Sequence, residues 1–510
     1  MIKKFLKKAE RGQAIILIAV AMVGLVAMVG LMTDSGILLI EYARLKRGID
    51  SASIAAAQQF RKGFLTADLV KSATNFLVLN QSNVKEVHIY TCNYPGTEWD
   101  AALCTTPISK LVRVTASQDV KFGFMRVLGF DQTTITATSV GEAASIDLVL
   151  IMDTSLSMSY GTSGDPLSGN QAGDDPHTCN INHNCQPLEN IKTVAQGFID
   201  TLFFPYDRVG IVTMTDQAVG GTRTVTLALP LNDTYATVFN ALENIRVFEP
   251  PTCVTKVSAF GTQGAWVSPL TGPCLNYNSG SGIFQGAEVP RGRGGLDLDM
   301  NTLGDNDNDY TTIPSSNVGG TFVKASDAFL GEGSTNRDDA FWVIIALISG
   351  PANATGPIAG HAAIPGHPDG ICPSTTWNAV YTPKCRDSDL AADGVTPLIT
   401  RHTNAVATYD ADDYARDMAD FTADPVNGNG ITIFTIGLGT VTGANNSIKN
   451  SGIGLNVSAD NLLKYIAETA GDTPGTTANH GFYSYAEDPS LNLAPIFLAI
   501  AENIFTRISQ

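Results

Sequence analysis

Basic residues are scarce in this chain. Its 510 residues include 32 Lys and Arg against 49 Asp and Glu, a net charge of −17, and a balance of that sign argues against a nucleic-acid partner, which needs a concentrated basic field to meet phosphate. Histidine is scarcer still, seven scattered residues. There is no HExxH zinc-protease helix, no GxSxG nucleophile elbow and no GxxxxGK[ST] phosphate loop. No nucleophile and base can therefore be nominated, and enzymatic activity is not expected. No cysteine is left over either: the eight fall as near neighbours, Cys92 with Cys104, Cys179 with Cys185, Cys253 with Cys274 and Cys372 with Cys385. An even count at close spacing points to local disulfides in an oxidising compartment, although sequence alone does not fix the connectivity.

What is present begins at the N-terminus. Lys3, Lys4, Lys7, Lys8 and Arg11 precede Ala14 to Met32, a run of 19 residues without a charge, about 28 Å long as a helix and close to the thickness of a bilayer core. The run is longer than the apolar region of a cleaved signal, and Met32-Thr33-Asp34-Ser35-Gly36 follows it where an A-x-A-like site would stand. It is read as a membrane anchor. Five basic residues lie before it and three (Arg44, Lys46, Arg47) soon after, a bias that keeps the N-terminus in the cytoplasm and exports the remainder of a single-pass protein. The paired cysteines agree with that orientation.

Residues 1–60 are read as a cytoplasmic stub, the membrane helix and its outward extension, because Ile37 to Gln59 stays helical in character and free of Pro. Residues 61–145 are read as a small α+β region. Ala67 to Val78 has a helical pattern, and Val84 to Tyr90, Lys110 to Ala116 and Thr133 to Val140 have those of strands. Arg11-Gly12-Gln13-Ala14, Asp34-Ser35-Gly36 and Gly48-Ile49-Asp50-Ser51-Ala52-Ser53-Ile54-Ala55-Ala56-Ala57 resemble the TadE/TadG-like proteins of tight-adherence (Flp) pilus assembly. The resemblance covers about the first 60 residues, and implies a membrane-anchored pseudopilin or assembly subunit at a bacterial cell envelope. One departure is plain: a prepilin site at Gly12 would want Glu five residues later, where Leu17 stands. Gly36 to Tyr42 does fit G-x-x-x-x-E-Y, but cleavage there would remove the span, so the match is read as chance.

From Ile146 to the C-terminus strands alternate with helices, the mark of an α/β fold with a doubly wound, mostly parallel sheet. Strands are predicted at Leu148 to Met152, Val209 to Met214, Thr222 to Leu227, Ala340 to Ile348 and Ile431 to Gly437. Helices are predicted at Leu188 to Phe203, Tyr235 to Ile245, Ala411 to Phe421, Asn461 to Ala470 and Leu493 to Ile504. The first strand delivers Asp153-Thr154-Ser155-Leu156-Ser157, a DxSxS motif that aims a carboxylate and two hydroxyls at the end of a buried strand and so offers hard oxygen ligands. With Asp207 to Met214 and Gly430 to Gly439, this motif resembles the von Willebrand factor type A domain and its metal-ion-dependent adhesion site.

That resemblance implies a ligand set. Ser155 and Ser157 would coordinate directly, Asp153 would act through water or orient the hydroxyls, and Thr321 of a Gly319-Gly320-Thr321 loop would add a third hydroxyl. The fourth strand should end in Asp, and Ser349 stands there instead, so cation affinity should fall. Mg²⁺ suits few protein ligands and several waters, with Mn²⁺ or Ca²⁺ as substitutes. An acidic side chain of a partner protein would take the open coordination place.

Two stretches, residues 247–318 and 351–402, interrupt the α/β order. They are rich in Gly, Pro, Asn, Asp and Cys and read as long loops near the metal face. Asp305, Asp307 and Asp309 alternate with Asn like the first half of a calcium loop, but Tyr310 and Ser316 stand where an EF-hand needs Gly and Glu, so only a looser calcium loop stays open. His177, Cys179, His183 and Cys185 have zinc-ligand chemistry, but a disulfide between the two cysteines is the expectation. Two functional readings follow. One is a pilus-associated protein with its bulk in the periplasm or outside the cell, adhering to a protein ligand through a degenerate metal site. The other is a structural pseudopilin, assembly or tip subunit that contacts other pilus subunits without metal.

Overall fold

The computed structural model describes residues 3–59, 66–80, 84–92, 97–159, 161–162, 176–215, 225–248, 254–256, 266–269, 275–278, 283–286, 316–331, 337, 339–349, 352, 355, 403, 411–438 and 459–508. The chain forms two compact units, which divide at Ser145 and Ile146.

The first unit starts with α1 (Lys3–Gln58), a single helix of 56 residues. Its apolar part is long and apolar enough to cross a membrane and is almost wholly exposed. Farther along, Leu45, Ile49, Ala52 and Ala56 turn one face inward at the three- and four-residue spacing of a helix. α2 (Thr66–Leu79) answers with Leu69, Ala73 and Leu77. Both pack on a sheet of β1 (Val84–Thr91), β2 (Glu98–Trp99), β3 (Lys110–Lys121) and β4 (Gln132–Ala143), ordered β2-β1-β3-β4. Strand β3 alternates strictly, with Val112, Val114, Ala116 and Val120 buried. Small residues set the closeness of helix and sheet. A Cβ on Gly141 of β4 would lie 2.2 Å from the Ser53 carbonyl oxygen of α1, so only glycine fits there. The Cys92–Cys104 disulfide fastens the β2 end of the sheet.

The second unit is a six-stranded sheet with helices on both faces. Its strands are β5 (Ile146–Met152), β6 (Arg208–Thr213), β7 (Thr226–Asn232), β12 (Phe341–Ile348), β13 (Thr432–Leu438) and β14 (Tyr483–Ala486), in the order β14-β13-β12-β5-β6-β7. All neighbours are parallel except β6 and β7. On one face Leu148, Leu150 and Met152 of β5 pack with α4 (Leu188–Ile199), α5 (Tyr235–Glu243) and α9 (Pro489–Ile508). On the other, Val149 and Ile151 meet α6 (Val318–Leu330), α7 (Ala411–Ala423) and α8 (Ala459–Glu468). Burial on both sides is why β5 from Leu148 and β12 are continuous apolar runs rather than alternating ones, and why every residue of β6 and β13 is buried too.

Several expectations change. The strand expected at Thr222 to Leu227 lies later, at β7, and the expected Leu188 to Phe203 helix ends at Ile199. The edge strand β14 and the short helix α3 (Pro176–Asn182) were not anticipated. The stretch 247–318 is not structureless: it holds two antiparallel pairs, β8 (Val254–Lys256) with β9 (Trp266–Pro269) and β10 (Leu275–Asn278) with β11 (Ile283–Gly286).

Candidate metal and ligand site

Strand order alone locates a crevice. The chain runs from β5 outward through β6 and β7, then returns to the other side of β5 and runs outward through β12, β13 and β14. The connections therefore part above the C-terminal ends of β5 and β12, and such a switch point is where open α/β sheets hold ligands. The residues at those two ends are Asp153 and Ser349.

Asp153 is fully buried. Its backbone N–H bonds to the Leu347 carbonyl at 3.0 Å, which continues the β5–β12 ladder one residue past the strand. One carboxylate oxygen, Oδ1, accepts from the Ser155 N–H at 2.8 Å. The other, Oδ2, accepts from the Ser349 N–H at 2.8 Å and from the Ser349 hydroxyl at 2.6 Å. All three donors are neutral. Three of about four lone-pair directions of the carboxylate are thus occupied and one is left. Among the described residues no Lys or Arg pairs with this carboxylate.

Ser349 therefore has a role that position alone did not reveal. It does not replace the second carboxylate as a charge; it clamps the first one by two hydrogen bonds. Ser155 is buried at the start of the turn, and Met158 donates its N–H to the Ser155 carbonyl at 3.0 Å to close a short helical turn over Leu156–Ser159. Ser157 falls in that turn, and its side chain lies outside the described residues.

Thr321 was expected in a loop and is not. Helix α6 already begins at Val318, with the Asn317 side chain accepting the Gly320 N–H at 2.8 Å as its cap. Gly319, Gly320 and Thr321 form the first helical turn. The glycines serve packing: a Cβ on Gly319 would lie 2.4 Å from the Tyr414 ring of α7, and one on Gly320 would strike the Asn317 cap at 2.7 Å. The Thr321 hydroxyl donates to the Val318 carbonyl at 2.6 Å, which leaves its lone pairs as acceptors. Because α6 and α7 each lead into a parallel strand of the sheet, both begin at the edge that carries Asp153 and Ser349. The first turn of α7 also brings the buried Asp412 and Asp413, whose charges face Arg416 on the same helix.

Neighbouring polar groups went unnoticed in the sequence. Thr154, the variable residue of the DxSxS motif, shares a 2.7 Å hydrogen bond with the hydroxyl of Thr215 just past β6. Its carbonyl accepts the Phe248 N–H at 2.8 Å. Asn180 fastens Val247 by both its amide groups, at 2.7 and 3.0 Å, and sits in the loop closed by the Cys179–Cys185 disulfide. That disulfide removes both sulfurs as zinc ligands. The first long insertion thus departs from Phe248, tied beside Asp153, and returns at the Asn317 cap; the second departs directly after Ser349. Asp305, Asp307, Asp309, Cys253, Cys274, Cys372 and Cys385 lie outside the described residues.

The donors can be tested against a cation. Among the described residues no three His, Cys, Asp or Glu side chains converge, so a soft or nitrogen-preferring metal finds no cage. One carboxylate with hydroxyls from Ser155, Ser349 and Thr321 fits a hard cation that keeps most of its water. A single negative charge, and the positive end of helix α6 at the same edge, make it a weak site.

No family model matches the chain, and no curated protein matches it. Among solved structures it is similar to proximal thread matrix protein 1 from the mussel byssus, at 12% identity and a TM-score of 0.31 over 70% of this chain and 47% of that one. It is similar to the pilus adhesin SpaC from Lactobacillus rhamnosus GG, at 11% identity and a TM-score of 0.36 over 78% of this chain and 33% of that one. An aerotolerance-related membrane protein from Bacteroides fragilis aligns over its full length with 70% of this chain, at 12% identity and a TM-score of 0.27. The chain spans less than half the length of the first two. Likenesses this slight transfer no function.

Proposed function

We propose that the chain is a membrane-anchored, exported binding protein of the TadG-like kind, and that its second unit is a von Willebrand A-like domain. It engages an acidic group of a protein ligand at the Asp153 edge of the sheet, with a weakly held Mg²⁺-type cation between them. One observation carries this reading: among the described residues, a fully buried carboxylate at the switch point is met by neutral donors alone, and a buried charge without a counter-charge is costly until a cation arrives. When bound, the ion would supply an open coordination place for the partner's carboxylate. Ser155, Ser349 and Thr321 would hold its hydration shell, and the two insertions rooted beside Asp153 and Ser349 would select the partner. The basic cluster before the apolar run supports an orientation with the N-terminus in the cytoplasm and the second unit outside it.

The test is thermal. Mg²⁺ or Mn²⁺ at saturating concentration should raise the melting temperature of the second unit's transition by a few degrees, on the order of 2–8 °C, as expected for a ligand at 10 to 100 times its dissociation constant. Asp153→Ala should remove the rise. The alternative, a structural pilus subunit without metal, draws on the Ser349 clamp, which leaves Asp153 hydrogen-bonded without any ion. A wild type indifferent to both cations would decide for it.

A further inference from the structure

The loop that joins β3 to β4 has the wrong surface for a water-exposed hairpin. Between Lys121 and Gln132 it reads Phe122-Gly123-Phe124-Met125-Arg126-Val127-Leu128-Gly129-Phe130-Asp131. It coils into a short helical turn over Met125–Leu128 and is turned back by Gly129 in the left-handed region at φ 92°. Val127 is 87% exposed, Leu128 70%, Phe130 57% and Phe124 48%. Four large apolar side chains bared on one hairpin tip are more than scattered surface residues, and a patch of this kind marks an interaction site.

Its position on α1 says what covers it. Asp34, two residues past the apolar run, is buried and spends its carboxylate entirely on this loop. Its Oδ1 accepts from the N–H of Gly123 at 2.8 Å and of Phe124 at 3.2 Å, and its Oδ2 from the N–H of Phe124 at 3.0 Å and of Met125 at 2.7 Å. One turn earlier, inside the apolar run, a Cβ on Gly30 would lie 2.8 Å from the Cβ of Phe124. The loop is therefore pinned beside the last turn of the run, and Gly30 is only about 3 Å along the helix axis from Met32, where the run ends. On the other sides of those turns Leu31, Met32, Leu39 and Ile40 are exposed. The exposed end of the apolar run and the exposed tip of the loop therefore meet at the Gly30–Asp34 turn of α1.

We infer that the β3–β4 loop is a second membrane contact: its apolar tip is seated in the interfacial layer of the same bilayer that α1 crosses. The inference rests on the reading of α1 as a span. Three features suit that medium. Three backbone N–H groups satisfy the Asp34 carboxylate at the lipid edge, where an unsatisfied charge is expensive. Phe124, Phe130 and Leu128 are the kind of apolar side chain that an interfacial segment buries at the boundary of headgroups and acyl chains. Arg126, held to Asp131 at 3.2 Å, has a stem long enough to lie along the apolar tip with its head among lipid phosphates.

The experiment uses the full chain in phosphatidylcholine–phosphatidylglycerol vesicles, with tryptophan as the depth reporter. Val23→Trp probes the middle of the span and Val127→Trp the loop tip; both side chains are exposed, and the wild-type emission is subtracted. Lipids brominated near the chain ends should quench Val23→Trp. Lipids brominated near the glycerol should remove the larger part of the emission added by Val127→Trp, and aqueous iodide should remove little of it. Leu128→Trp should behave alike. If Val23→Trp is quenched by lipid but Val127→Trp is quenched by iodide, the loop faces water and the inference fails while the span stands. If Val127→Trp is reached by neither quencher, a protein surface such as a second copy of the chain covers it, and the inference fails again. If Val23→Trp escapes the bromines, the span itself fails and the loop's role falls with it.

Discussion

Strand β5 carries a buried carboxylate near each end, and they are treated in opposite ways. Asp147 and Asp153 are equally inaccessible to water. Asp147, at the N-terminal edge, lies in register with Arg208 of β6, whose Nε and a terminal nitrogen reach its two oxygens at 2.9 and 2.5 Å. Arg337, arriving from the segment before β12, contacts both oxygens as well and donates to the Tyr206 carbonyl at 2.8 Å. Two guanidiniums enclose one carboxylate there. Asp153, at the C-terminal edge, is met among the described residues by two backbone N–H groups and one hydroxyl. Desolvation is the same at both ends, so the difference lies in the counter-charge. The edge that holds the fold together supplies its own cations, and the other leaves a negative charge unmatched beside the roots of two long insertions. A structural carboxylate and a receptive one are distinguished by their partners, not by their burial.

The contrast can be broken most forcefully at Asp147. Asp147→Asn leaves two buried guanidiniums without their anion and should cost about 3–5 kcal/mol, read as a lowered urea midpoint. In chelator, Asp153→Asn should change the stability far less, within about 1 kcal/mol, because it discards a charge that no Lys or Arg among the described residues balances. Equal losses would erase the distinction. Ser349→Asp sharpens it from the other side. A second carboxylate beside Asp153 should destabilise the metal-free protein by about 1–3 kcal/mol through like-charge repulsion. It should also enlarge the Mg²⁺-induced rise in melting temperature, measured by melting with and without the ion.

The smallest effect is expected at Asp424, a carboxylate held in a third manner. The backbone N–H of Val426, then that of Asn427, hold its carboxyl below the usual carboxylate range, and the Asn427 side chain adds to this. A group with a depressed pKa in the folded state contributes stability above its unfolded value, and that contribution is lost as pH falls through the folded one. Melting temperatures measured from about pH 5 down to about pH 2 should therefore fall more steeply for the wild type than for Asp424→Asn. Parallel curves would show that these N–H contacts do not persist in solution.

Much of this was legible before any coordinates. Strands β5 and β12 announce themselves as runs rich in Val, Ile and Leu because both of their faces are covered, and β6 and β13 as shorter apolar stretches broken by Gly and Thr. Strand β7 was misplaced because it is a half-buried edge strand that tolerates Pro230, a residue that argues against a central strand. Strand β14 is four residues long, too short for its alternation to register. The Gly319-Gly320 pair looked like a loop since glycine disfavours helices; the reason for the pair, the ring of Tyr414, comes from another helix. The Asp147–Arg337 contact spans 190 residues of sequence, and no local pattern can foretell it. At the candidate site the position of Ser349 was readable, but its hydrogen bonds to Asp153 were not, because they depend on how β12 registers against β5.

The placement of β5 also has a mechanical side. Strand β4 ends at Ala143 and β5 begins at Ile146, so, on the proposed reading of an anchored N-terminus and a partner at Asp153, tension would enter and leave the second unit through this one strand. β5 is bonded along both edges, to β12 and to β6, and both neighbours run parallel to it. A pull along its axis loads those two ladders in shear, all rungs together, instead of peeling them one at a time. A tether that must stay folded under traction is best threaded through the middle of its sheet, and this chain is threaded there.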